Sequence, residues 1–256
     1  MWMLTAYPLR PSGTSPARGE ASFLRLRSVC VMNPLFSFLF DRLKRSLLAS
    51  AGLMLFAFGY HLQVVANIGL SPWTALNDGL AIHLNMTLGQ ASIIISIIIV
   101  ISDLLMKERI GLGTLLDTFV VGWGMDLFAA LDFVPYQTEF WPGLLFLFLG
   151  TVAACVGQWF YMTAALSCGP RDAFLVALGK RLPKLSIGTV NIMLLLTVAV
   201  LAFLLGGQIG LGTLITLFGT GVVMDAVNKI VRFEPRNVVH EGLMETVSEF
   251  MKALKG

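Results

Sequence analysis

The sequence predicts an all-α integral membrane protein: six transmembrane helices in two inverted three-helix repeats, each with a short re-entrant or interfacial helix. Three observations predict it. Of 256 residues, 56% are hydrophobic and only 13% charged, with a mean hydropathy of +0.80, whereas soluble domains are about a quarter charged. Six apolar stretches, at 46–66, 88–106, 114–131, 144–165, 185–205 and 211–230, reach the length of about 20 residues needed to cross about 30 Å of hydrocarbon. The hexapeptide IGLGTL occurs twice, at 110–115 and 209–214.

Taken in order, residues 1–33 are rich in Pro, Ser, Gly and Arg and read as a disordered tail. No long apolar run follows the arginines, so a cleaved signal peptide fits poorly, and Met32 is an alternative start. Residues 34–45, PLFSFLFDRLKR, read as an interfacial segment. The first membrane repeat spans 46–131 and the second 144–230. The run ASIIISIIIVISDLLM at 91–106 looks apolar on every side. The tail at 231–256 places Val238, Leu243, Val247, Phe250 and Leu254 at helical spacing, an amphipathic helix able to dock on a partner, the bilayer or its own bundle.

The duplication extends beyond six letters. Residues 110–126 and 209–225 align without a gap and are identical at 10 of 17 positions, including Phe119/Phe218, Gly122/Gly221 and Met125/Met224. Upstream, Thr87–Gly89 meets Ser186–Gly188, and after a one-residue gap Pro72 meets Pro170, Gly52 meets Gly150 and Gly59 meets Gly157. With three spans per half, the second half is inserted upside down. With both termini cytoplasmic, all 18 Lys and Arg residues then fall on one side and the acidic loop at 132–142 on the other. An eight-span arrangement moves Lys107, Arg109 and Arg171 outside.

Each half carries an odd segment after its first span: NIGLSPWTALNDGLAIHLN and LSCGPRDAFLVALGKRLPK. Proline suits the first helical turn because its missing N–H would be unpaired there. The segments predict helices over 72–84 and 170–182, the first capped by Ser71. At 1.5 Å per residue each is about 20 Å long, too short to cross. As re-entrant elements they would aim two helix N-termini at the midplane, where unpaired N–H groups favour an anion or a carbonyl oxygen. As interfacial elements they would lie flat at the headgroups.

The candidate substrate-binding residues are therefore Ser71, Pro72, Trp73, Thr74, Pro170, Arg171 and Asp172. Arg171 opposes its own helix dipole, so it calls for an anionic partner, ligand or headgroup; Asp172 is one such partner. Acids within spans default to function, which makes Asp126, Asp225 and Asp117 coupling or gating candidates, with Asp103 a further acid. Asp225 has Lys229 four residues on, a fitting helical pair. His61 and Gln63 read as interfacially solvated residues at the end of the first span.

Other chemistries are not expected. Cys30, Cys155 and Cys168 have no metal or redox spacing, and His61, His83 and His240 are scattered, so neither metal nor cofactor is anticipated. GLGT lacks the GK[ST] of a phosphate loop, no nucleophile–base pattern suggests an enzyme, and a net charge of +3 gives no nucleic-acid footprint.

The segments GLSPWTALNDGL, IGLGTLLDTFVVGWGMDL, CGPRDAFLVALGKR and IGLGTLITLFGTGVVMDAV resemble the YczE branch of the YczE/YyaS/YitT family of bacterial integral membrane proteins, over residues 46–229. The resemblance implies a bacterial inner-membrane location and supplies no substrate. The chain departs from the family pattern at Thr74, where an acid often follows the tryptophan, and at Ala173, where glycine often follows GPRD. The expected function is transport of a small polar or anionic solute, with the bilayer and that solute as partners and a homo-oligomer left open. The alternative is a non-transporting scaffold or regulator that holds a cytoplasmic partner.

Overall fold

The computed structural model describes residues 34–233 and 242–255. The expectations for residues 1–33, for Met32 and for Val238 lie outside the described residues. Within them the chain forms nine helices: α1 (Pro34–Ala66), α2 (Pro72–Leu84), α3 (Leu88–Leu105), α4 (Leu112–Leu131), α5 (Phe140–Thr163), α6 (Pro170–Arg181), α7 (Ile187–Leu204), α8 (Leu211–Val231) and α9 (Leu243–Lys255). Six of these, all but α2, α6 and α9, are long and apolar enough to cross a membrane.

Residues 34–45 are not a separate segment: they are the opening turns of α1, which runs unbroken for 33 residues. No Gly or Pro interrupts the chain from 35 to 51, and Arg45 Nε pairs with Asp41 Oδ2 at 2.9 Å one turn away. α3 opens on a reciprocal cap, with Thr87 Oγ1 accepting from Gln90 N and Gln90 Oε1 accepting from Thr87 N. Ser186 caps α7 by accepting from Thr189 N. Ser71 stands at the N-cap of α2, but its hydroxyl pairs with Thr74 Oγ1 at 2.8 Å and caps no backbone N–H. α3 is not uniform around its axis: Ser92 and Ser96 are buried, while Ile97, Ile98 and Ile101 point outward.

The helices pack through reciprocal contacts. α1 and α5 run antiparallel and touch backbone to backbone at two glycine pairs. A Cβ at Gly52 would stand 2.7 Å from Gly157 O, and one at Gly59 would stand 2.5 Å from Gly150 O; the reverse distances are 2.6 Å for both. Small residues let helix backbones approach this closely in a bilayer, where no hydrophobic drive separates helix from lipid. The remaining contacts come in matched sets: α1–α4 with α5–α8, α2–α7 with α6–α3, α2–α3 with α6–α7, and α2–α8 with α6–α4. One set is unmatched, since α3 packs along α4 while α7 and α8 make no comparable contact.

The repeated hexapeptide has a structural task. Each copy starts a helix, with Gly111 and Gly210 at the N-caps of α4 and α8. The Thr114 and Thr213 hydroxyls accept from their N–H groups. Each copy also grips the odd segment of the other half. Thr114 N donates to Ser167 Oγ at 2.7 Å and Thr114 Oγ1 to Cys168 O at 2.8 Å. In the other half, Gly212 N donates to Ile68 O at 2.8 Å and Leu70 N to Gln208 O at 3.1 Å. Gly69, at φ +118°, turns the chain into this grip, where a side chain would be strained.

The tail docks on its own bundle. Leu243 N donates to Ile110 O at 2.8 Å, Arg109 Nη1 pairs with Glu245 Oε1 at 2.7 Å, and Arg42 Nη2 pairs with Glu249 Oε2 at 2.5 Å. The Phe38 and Phe250 rings lie 6.1 Å apart.

Candidate functional site

A cavity of about 160 Å³ lies at the centre of the bundle. The starts of both short helices open into it. Ser71, Pro72 and Trp73 come from α2 and its cap, and Gly169, Arg171 and Asp172 from α6 and its cap. Helix N-termini present unpaired N–H groups, so the two together bring partial positive charge to one place. The spanning helices add polar groups to the walls: Tyr60 and Gln63 from α1, Ser92 and Ser96 from α3, Asp117 from α4, and Gln158 and Tyr161 from α5.

Arg171 dominates the electrostatics. Its guanidinium lies over the Trp73 ring at 5.3 Å and over the Tyr60 ring at 5.9 Å, contacts in which the ring faces attract the cation. Nη1 donates to Tyr60 Oη at 3.3 Å and Nη2 to Ser92 Oγ at 3.5 Å. Among the described residues no carboxylate forms an ion pair with it. Asp172 does not serve as its partner; Asp172 Oδ2 instead accepts from Gln158 Nε2 at 3.4 Å. Asp117 faces the α6 cap, where a Cβ on Gly169 would stand 3.2 Å from Asp117 Oδ2. Tyr161 Oη anchors the loop before α6 by donating to Ser167 O at 2.8 Å. One guanidinium and two carboxylates thus share a cavity, with the cation engaged by rings and hydroxyls.

The structure brings together Ser71, Pro72, Trp73, Arg171, Asp172 and Asp117. Two of the other expected residues are packed behind the wall. Thr74 is fully buried with its hydroxyl on Ser71, and Pro170 is buried by the opening turn of α6. Asp126 and Asp225 lie elsewhere. Asp126 follows Asp117 by nine residues on α4, half a turn round the helix and about 13 Å along it. Its Oδ2 accepts from Thr87 Oγ1 at 2.6 Å and its Oδ1 from Gly89 N at 2.8 Å, so it caps α3. Asp225 is exposed and makes no pair with Lys229 among the described residues. Asp103 is fully buried with no hydrogen-bond partner on either oxygen.

Sequence reasoning missed the α1 contribution. His61 and Gln63 are not interfacial: His61 is buried against the Phe128 and Phe133 rings, and Gln63, 2% exposed, lines the cavity with Nε2 3.5 Å from Thr151 Oγ1. The signal was available, because Leu53, Phe56, Tyr60 and Gln63 recur at helical spacing and all face the cavity.

Six helices long and apolar enough to span, packed around a cavity whose mainly apolar wall carries polar and charged side chains, make this a multi-pass membrane protein. The chain belongs to the family of unknown function DUF6198, whose profile matches residues 43–229. It is 35% identical over 170 residues to an uncharacterized protein of Haemophilus influenzae, covering 66% of this chain and 76% of that one. It is 31% identical over 176 residues to the uncharacterized membrane protein YczE of Bacillus subtilis, covering 68% and 80%. With the Bacillus subtilis protein YyaS it shares 28% identity over 183 residues, covering 70% and 90%. No solved structure matches.

Proposed function

We propose that this protein is a bacterial inner-membrane transporter whose two halves are inverted repeats, and that it binds a small polar solute bearing an anionic group between the N-termini of α2 and α6. Both chain termini lie in the cytoplasm. One observation carries the reading: the Arg171 guanidinium is held in an enclosed cavity by rings and hydroxyls and has no carboxylate pair. A half-buried guanidinium that makes no direct ion pair keeps donors free for an anionic group, while the Asp117 and Asp172 carboxylates in the same cavity offset its charge. Asp117 and Asp172 add acceptors for a donor group at the other end of the solute. The reciprocal α1–α5 glycine contacts and the matched helix pairs support an axis through the cavity. On this reading Trp73 and Arg171 are symmetry mates, and the guanidinium lies 5.3 Å from the indole ring.

Uptake of a labelled solute library into proteoliposomes tests the proposal, together with a thermal-shift screen of small carboxylates and phosphates. A true ligand at about 100 times its Kd should stabilise the protein by about 2.7 kcal/mol, and Arg171→Gln should lose both the shift and the uptake. A scaffold would move no solute and show no ligand-dependent stabilisation.

A further inference from the structure

We infer that each half carries a latch between its second and third spans, and that the structure captures one latch shut and its counterpart open. In the first half, α3 and α4 are locked together at the α3 N-terminus. Asp126 takes a hydroxyl hydrogen bond from Thr87 and a backbone hydrogen bond from Gly89. Gly89 and Gly122 lie backbone to backbone beside it: a Cβ on Gly122 would stand 2.8 Å from Gly89 O and would also overlap the Ile93 side chain.

The second half carries the same parts, 99 positions on: Ser186, Gly188, Ile192, Gly221 and Asp225. None is engaged. Nothing lies within 4 Å of a Cβ on Gly221, and Gly188 meets only the Ser186 hydroxyl, at 3.9 Å. Ser186 bonds only within its own helix, to Thr189. Asp225 is exposed, and α7 packs along α8 far less than α3 packs along α4. The hydroxyl, the two facing glycines and the carboxylate that close one helix pair are thus all retained in the pair that stands apart. Local propensity does not explain the difference, since the parts match. The two helix pairs differ in position.

The second latch closes by the contacts the first one shows. α8 moves onto α7, Asp225 accepts from the Ser186 hydroxyl and from Gly188 N, and Gly221 seats against Gly188. The carboxylate then sits at a helix N-terminus, where the dipole favours it. The first latch opens in exchange, because the two share α6 and α2 as neighbours and both halves abut the same cavity. On the transporter reading, which this inference extends, the latches are the two gates. The open one faces the cytoplasm, so the structure has its inner gate released.

The test uses disulfide trapping in proteoliposomes, in a chain with Cys30, Cys155 and Cys168 replaced by serine. Ser186→Cys with Asp225→Cys reports closure of the open latch. In the shut latch the corresponding side chains of Thr87 and Asp126 are in direct contact, so a closed α7–α8 pair brings the two sulfurs within bonding reach. Copper-phenanthroline and oxygen serve as the oxidant, and each disulfide formed releases two protons. Disulfide yield should be low in the parent. It should rise about threefold or more with Asp126→Asn, which frees the first latch, and fall back when Gly221→Leu, whose side chain keeps α8 off α7, is added. Thr87→Val, which removes one of the two Asp126 contacts, should raise it in the same direction by less, and it keeps the test alive if Asp126→Asn does not fold. A high yield in the parent, or a yield that neither variant changes, overturns the inference. Because trapping needs no solute, an exchange of latches without any uptake would refute the transport reading and leave the latches standing.

Discussion

Arg171 is the residue on which the site turns, and its surroundings make separable predictions. Arg171→Lys keeps the charge but loses the planar fork and much of its stacking on Trp73 and Tyr60, so uptake should fall only in part, while Arg171→Gln should abolish it. Asp172 bonds to Gln158 and not to Arg171. The two charges nevertheless share one cavity, so the double variant Arg171→Gln with Asp172→Asn should show only modest coupling in thermal stability, about 0.5–1 kcal/mol. Melting curves of the detergent-purified single and double variants check it; strong recovery in the double would make the two a structural ion pair. Asp103 gives a contrasting case. Its buried carboxyl has no partner, while its counterpart in the second half is the equally buried Ala202. Asp103→Ala should leave the protein as stable or more stable by about 1–3 kcal/mol, because an unsatisfied buried acid is removed. A melting temperature several degrees lower would show that the acid has a partner in the membrane-embedded protein. Charge at these positions was legible in the sequence, because polar residues in apolar runs are conspicuous. Their partners were not: Arg171 and Tyr60 lie 111 positions apart, and no local spacing reports such a contact.

Among the elements, the α1–α5 pair is the most constrained. Gly59→Leu would drive a side chain into Ala154 N and Gly150 O, both 2.5 Å from the Cβ position. Overpacking of this kind costs about 1–3 kcal/mol when neighbours can shift, and here the neighbours are backbone, so the loss should be at the upper end or beyond. The same change at Gly219, where nothing lies within 4 Å, should be nearly neutral. Size-exclusion profiles and melting temperatures compare the two. Helix existence and number followed from the sequence because apolar length is a strong signal, and both short helices begin at the expected prolines. That residues 34–45 run into the first span as one helix was not read, because a basic run looks interfacial by composition, whereas helix continuity depends on the absence of a breaker. The two serines of α3 were overlooked because an isoleucine-rich run masks a narrow polar stripe.

Across the whole molecule, orientation is the property that composition decides and packing does not. With the termini cytoplasmic, Thr138→Cys in a cysteine-free background should react with an impermeant thiol reagent from outside, and Lys107→Cys should react only after the membrane is opened. Both positions are exposed, so accessibility is not in question. Labelling of Lys107→Cys from outside, with Lys252→Cys in the tail still protected, would require eight spans and end the inverted-repeat proposal. The recurrence of IGLGTL was visible in the sequence. What it does was not, because the contacts of IGLGTL run between the halves and not within them.

That exchange of grips has a consequence for how the chain is made. The ribosome delivers Ile68 and Leu70 about 140 residues before Gly212 and Gln208, their hydrogen-bond partners, so at cellular elongation rates the segment waits on the order of ten seconds. During that interval an extended backbone with open carbonyl and amide groups cannot rest in hydrocarbon, where each unmet group costs several kcal/mol. The first half must therefore hold its own odd segment at the aqueous boundary or in the shelter of the insertion machinery. If the segment is re-entrant as proposed, it is drawn inward only when the second half arrives, which would make assembly of this protein a late, post-insertion event.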